Sequence, residues 1–194
     1  MKTVLIVCNP QEKSFSHAIA SAVMDGCYSR GAEVRYHDLY EERFDPVLPA
    51  TEILSKFSFD PLVQRHMDDV EWADMIVIVH PDWWGQPPAM LKGWIDRVLR
   101  PGIAYEYRGE EGGVAERVPL LSDKRAAVFC STDAKREDDP GTLKSIWSRS
   151  VWNFCGIENA EFHLLFNTRG AGWVEREAWL KSCRLIAEGW GSEN

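Results

Sequence analysis

MIVIVHPDWWGQPPAMLKGWIDRV, residues 75–98, decides the fold, because it carries a strand, a turn and a helix in immediate succession. Met75–Val79 is apolar at five consecutive positions, with none of the alternation a half-exposed strand shows, so it reads as a strand covered on both faces. Where the run ends, Trp83 and Trp84 stand side by side among three prolines. A helix is expected from about Pro88, since proline suits the first helical turn. Leu91, Trp94, Ile95, Val98 and Leu99 then fall on one face, and Pro101-Gly102 closes the helix.

The same alternation extends to both sides. TVLIVC (3–8) is a second continuous apolar run, followed by a helix over 16–30 with Ser14 or Ser16 as N-cap and Gly31 as the stop. EVRYHDL (33–39) is a strand, 45–61 a proline-containing loop and 62–72 a short helix. Beyond a polar, glycine-rich loop (108–117), strands at 125–131 and 157–166 enclose a helix over 141–155, and a helix over 173–189 closes the chain. There is no repeat or linker, so residues 1–194 are expected to form a single α/β domain. Five strand–helix units imply a parallel sheet between two helical layers, and they fit the flavodoxin-like strand order 2-1-3-4-5. In such a sheet, ligands bind beyond the carboxyl ends of the strands at the switch point. That singles out the loops 9–16, 80–87 and 131–140.

Composition narrows the partners. A formal net charge of -8 repels a phosphate backbone, so nucleic acid is not expected as a partner. Five widely spaced cysteines without a CxxC pair offer neither a zinc site nor a redox dithiol, and they read as reduced thiols in a cytoplasm. The apolar run at the start is too short for a signal peptide, and no run approaches the ~20 residues that cross a bilayer.

Loop NPQEKSFSHA joins the first strand to its helix, where free amides and the helix dipole favour an anion and Ser14 and Ser16 add hydroxyls. It is neither a dinucleotide fingerprint nor a P-loop, and a serine before a helix also serves as a plain cap. Trp83 and Trp84 suit either a wall for a flat heteroaromatic ring or ordinary core and interface packing. Ser131 and Thr132 open a third loop, STDAKREDDPG, whose KREDD run reads first as a solvated face. His17 reads as a surface or packing residue.

WWGQPPAMLKGWIDRV with IAYEY behind it, together with KTVLIVCNPQEKSFSHA, EVRYHDLYEERFDPVL and AEFHLLFN, resembles the NAD(P)H:quinone oxidoreductase family of flavodoxin-like proteins over nearly the whole chain. The resemblance implies a cytoplasmic, homodimeric flavoprotein passing hydride from NAD(P)H through the flavin to a quinone or similar electrophilic small molecule. It places Asn9, Ser14, Phe15 and Ser16 around the flavin phosphate and Pro81, Asp82, Trp83, Trp84 and Gly85 along the isoalloxazine ring. Ser131, Thr132 and Asp133 then hold the other ring edge, and Tyr105 and Tyr107 cover the substrate cavity, in the family often from the partner subunit. This sequence departs from the pattern in three places. Asp133 and Ala134 replace loop glycines, KREDDPGTL lacks the tyrosine and histidine that assist electron transfer in some members, and Asn9 stands where several relatives have histidine. A 45–70 segment shorter than in the FAD-dependent mammalian members favours FMN over FAD, and Lys135 or Arg136 is placed either to help stabilise the reduced flavin or to attract the 2'-phosphate of NADPH. Two other readings are a regulatory flavodoxin-like subunit of a potassium efflux system and a flavodoxin-type electron carrier.

Overall fold

The computed structural model describes residues 1–53, 55–109, 115–138 and 141–191; positions 110–114 of the expected glycine-rich loop and Asp139 and Pro140 of the charged loop lie outside them. Strands β1 (Lys2–Val7), β2 (Glu33–Asp38), β3 (Met75–Pro81), β6 (Arg125–Ser131) and β7 (Glu161–Leu165) form one sheet in the order β2-β1-β3-β6-β7. Every neighbouring pair in it is parallel. This is the expected flavodoxin-like order.

Strand period two sends alternate side chains to opposite faces. Val4, Ile6, Ile76, Ile78 and Val128 meet helices α2 (Pro61–Trp72) and α3 (Ala89–Val98) and the helical segment 142–155. Leu5, Val7, Val77, Val79 and Phe129 meet α1 (Phe15–Ser29) and α6 (Trp173–Gly189). The two layers are why Val4–Val7, Met75–Val79 and Ala126–Cys130 are unbroken apolar runs. Segment 142–155 is not a uniform helix: α4 (Thr142–Ser145) and α5 (Asn153–Cys155) flank a π-helical stretch, Ile146–Trp152. Widening the turn brings residues five apart into line, and Trp147 and Trp152 stack there with centroids 5.8 Å apart.

Two further features differ from the sequence reading. The fifth strand is shorter than 157–166, because Gly156 turns the chain at φ 100° and Ile157 is spent in the core before the strand begins. Part of the glycine-rich loop's surroundings is an antiparallel hairpin, β4 (Tyr105–Arg108) with β5 (Glu116–Pro119).

The 45–61 segment is clamped onto α3. A Cβ on Gly93 would lie 2.3 Å from Pro46, so only glycine admits this approach. Glu52 is buried against Arg100 at 2.9 Å and Arg97 at 3.6 Å. Nearby, Glu42 bridges His37 at 2.9 Å and His66 at 3.0 Å. These three residues have metal-type donors, but the Trp94 indole N–H donates to His66 Nδ1 at 3.0 Å. Its proton therefore sits on Nε2 and is given to Glu42, and the group is a hydrogen-bonded brace for the turn after β2.

Candidate active site

Three loops at the carboxyl ends of β1, β3 and β6 converge on a cavity of about 600 Å³. The first starts the helix α1. Ser14 is its N-cap, with Oγ accepting the His17 amide at 3.4 Å. The amides of Phe15 and Ser16 then have no acceptor within the helix, as in any first turn. Asn9 Oδ1 accepts from the Gln11 amide at 3.0 Å, which fixes the orientation of its amide group, and Nδ2 consequently donates to Ser16 Oγ at 3.1 Å. Ser16 is 1% exposed, and its own O–H finds no acceptor among the described residues. A buried hydroxyl with a proton to donate, beside the unpaired amides of a helix N-terminus, is chemistry suited to an anion.

The second loop is a tight turn. Trp83 and Gln86 exchange backbone hydrogen bonds at 3.1 Å, and the two residues between them, Trp84 and Gly85, have φ of 59° and 70°. Left-handed backbone is ordinary for Gly85 and costly for Trp84. The turn holds the Trp84 side chain wholly in solvent, at 100% exposure, with Trp83 at 40%. Asp82 ties it down: one carboxylate oxygen accepts from the Gly85 amide at 2.8 Å and the other from Thr132 Oγ1 at 2.9 Å. Beneath, His80 donates from Nδ1 to the Pro81 carbonyl at 2.8 Å and accepts the Trp147 indole N–H on Nε2 at 2.9 Å. Burial, only partly offset by the Pro81 bond, pushes this imidazole down to about 4, so it is neutral and anchors the end of β3.

The third loop pairs with the segment after β7. Thr132 donates its amide to Leu165, and the Thr168 amide returns to Thr132, both at 2.9 Å. Asp133 accepts from the Arg169 amide and pairs with its guanidinium, each at 3.0 Å.

Every residue expected to hold the cofactor lines this cavity except Gly85 and Thr132, which sit behind the wall and brace Asp82. Tyr105 and Tyr107 are elsewhere. They meet edge to face at 5.7 Å, and Tyr105 lines a separate hollow with Leu48, Ile53, Ile95 and Phe154. Arg136 lies over the Phe166 ring at 4.5 Å, and neither it nor Lys135 lines the cavity.

Sequence reasoning missed Gln11, Lys13, Thr168, Arg169 and Arg176 in the lining. Thr168 and Arg169 follow a strand end, so the rule that picked the other loops extends to theirs. Arg176, held by the carbonyls of Thr168 at 2.8 Å and Ala171 at 3.2 Å, comes from the closing helix and has no local signal. Lys13, Arg169 and Arg176 give a cationic rim to an acidic protein. Cys8, at the end of β1, is no nucleophile: burial pushes its thiol up to about 12.

A profile of the flavodoxin-like fold family matches residues 1–182. The chain is 34% identical to an uncharacterised NAD(P)H oxidoreductase of Haemophilus influenzae, over 84% of this chain and 83% of that protein. It is 31% identical to human ribosyldihydronicotinamide dehydrogenase [quinone], over 95% and 92%. The solved NAD(P)H:quinone oxidoreductase of Methanothermobacter marburgensis superposes with a TM-score of 0.83 at 27% identity, covering 97% of this chain and 98% of that one.

Proposed function

The chain belongs to the flavodoxin-like fold family, and from that membership we propose that its cavity binds a flavin nucleotide, with which it oxidises NAD(P)H and reduces a quinone or similar electrophile. One observation carries the reading: a single cavity joins an anion socket at the start of α1 to a wall formed by Trp83 and the turn it begins. The bound flavin supplies the hydride chemistry, and the protein's contribution is orientation and electrostatics.

The Phe15 and Ser16 amides, the Ser16 hydroxyl and the cations of Arg176 and Lys13 are positioned to hold the phosphate tail. Asp82 keeps the Trp83–Gly85 turn flat against the ring position by bonding both the turn and Thr132. Holding the nicotinamide and then the acceptor against one fixed face supplies much of the rate enhancement, because a positioned reaction is effectively unimolecular. No described residue of 45–61 lines the cavity, since that segment is spent on α3, and this supports FMN over FAD.

The flavoprotein so proposed is a homodimer in the cytoplasm. Val47, Ile53, Phe57, Phe59 and Tyr107 are each more than half exposed around the Tyr105 hollow. A second copy docked there covers this apolar surface and carries its tyrosines toward the neighbouring cavity. Sedimentation at micromolar concentration tests the dimer, and a monomer contradicts it. For the flavin, the protein is purified, its visible spectrum recorded and the released cofactor identified by chromatography. A yellow protein that NAD(P)H bleaches supports the function, and one that neither carries nor takes up a flavin refutes it.

A further inference from the structure

Ser14 and Ser16 flank the same socket, yet their hydroxyls are wired differently. Ser16 accepts from Asn9 and so has its proton free for an anion. Ser14 Oγ lies 2.7 Å from His17 Nδ1, and His17 Nε2 lies 2.7 Å from Asp38 Oδ2. Asp38 is further tied by the amides of Tyr40 at 3.0 Å and Glu41 at 3.3 Å, so the carboxylate is a fixed acceptor. It therefore holds a proton on His17 Nε2. With a neutral ring, Nδ1 is a lone pair, and the Ser14 proton is committed to it; the serine then shows the cavity an oxygen lone pair, which repels phosphate. With an imidazolium, Nδ1–H donates to Ser14, and the Ser14 proton is released toward the cavity.

We propose that His17 is a positioning residue for phosphate recognition: by taking up a proton it reverses the Ser14 hydrogen bond, so that binding of a phosphate-bearing flavin is coupled to protonation of the Ser14–His17–Asp38 chain. The inference rests on the flavin reading above. Imidazole is the side chain whose protonation ordinarily changes between about pH 5 and 8, and the test spans that range. The other titratable groups around His17 are Glu12 and Lys13 on the loop, Tyr36 and Asp38 on β2, and Tyr40 and Glu41 on the turn. Burial, then the neighbouring acidic side chains, pushes Tyr36 up to about 12, and burial also raises Tyr40, so both remain phenols throughout.

The test compares dissociation constants of FMN and riboflavin, by isothermal titration across that pH range, for the native chain, His17→Gln and His17→Phe. Riboflavin has the ring without the phosphate. Uptake of one proton makes the native preference for FMN over riboflavin fall with rising pH, by up to about tenfold per pH unit. FMN's own phosphate titrates near about pH 6 in all three proteins and cancels in the comparison. Both variants are expected to lack the additional slope. If the native profile superimposes on those of both variants, or if riboflavin shows the same slope as FMN, the proposal is overturned and the flavin reading stands. If neither flavin binds any of the three, the flavin reading itself fails and the proposal falls with it.

Discussion

His80 makes stability depend on pH in a way that can be worked out in advance. Its ring is buried, neutral and bonded on both nitrogens, to the Pro81 carbonyl and the Trp147 indole. An imidazole that titrates at 6.5 when exposed and at about 4 in the fold is protonated more readily in the unfolded chain. Stability from this group is therefore complete above 6.5 and is lost as pH falls toward 4. The whole effect is about 3 kcal/mol, and about 2 kcal/mol of it is gone by about pH 5. Glu42 does not confuse the window: burial raises its carboxyl, but bonds from His37 and His66 outweigh that and bring it down to about 2, so its contribution fades only below 4.5. His80→Leu removes the titration and leaves the Trp147 N–H and the Pro81 carbonyl without their partner. At neutral pH the variant should be less stable by about 1–3 kcal/mol per orphaned group. Urea unfolding of both proteins at about pH 7 and about pH 5 then gives a gap that narrows by about 2 kcal/mol on acidification. A gap that stays constant or widens refutes the assignment of a neutral, doubly bonded ring.

Arg176→Ala is expected to weaken FMN by one to two orders of magnitude while leaving riboflavin within about twofold, as loss of a charged hydrogen bond of about 1.5–3 kcal/mol requires; paired calorimetric titrations check it. Trp84→Gly exchanges a fully exposed side chain at positive φ for the residue that tolerates it, so the urea midpoint should hold or rise, by up to about 1 kcal/mol in stability, while KM for the acceptor increases. Gly26→Ala places a Cβ 2.4 Å from the Arg184 carbonyl and 2.8 Å from Ala187 Cβ. Forcing α1 off α6 costs about 1–3 kcal/mol and outweighs the ~1 kcal/mol gain in helix propensity, so urea unfolding should show a net loss.

How much was legible from sequence follows from how local each signal is. Val4–Val7 and Met75–Val79 are buried on both faces, and a burial demand of that kind is written in consecutive residues. Ser14 as a cap is equally local. The hairpin strands YEYR and ERVP are short and rich in charge, so neither hydrophobic pattern marks them. Segment 142–155 reads as a helix, and its π-helical stretch shows only once Trp147 is seen bonded to His80 and stacked on Trp152. In the site, strand ends predicted the loops and therefore most of the lining. Arg176 and the His17–Asp38 pair escaped, because each depends on a contact between residues distant in sequence. His17, read as a surface or packing residue, packs against β2 but also bonds to Ser14 at the cavity.

If the cavity holds a flavin as proposed, the start of α1 takes the phosphate and the Trp83–Trp84 turn is the flat wall for the ring. Titration of the purified protein with FMN in a calorimeter, followed by anaerobic addition of NAD(P)H in a spectrophotometer, tests it most directly. Saturable binding of one FMN per chain and bleaching of its visible absorbance are expected. Absence of heat and an unchanged spectrum, with the protein folded and its cavity free of other flavin, contradicts it.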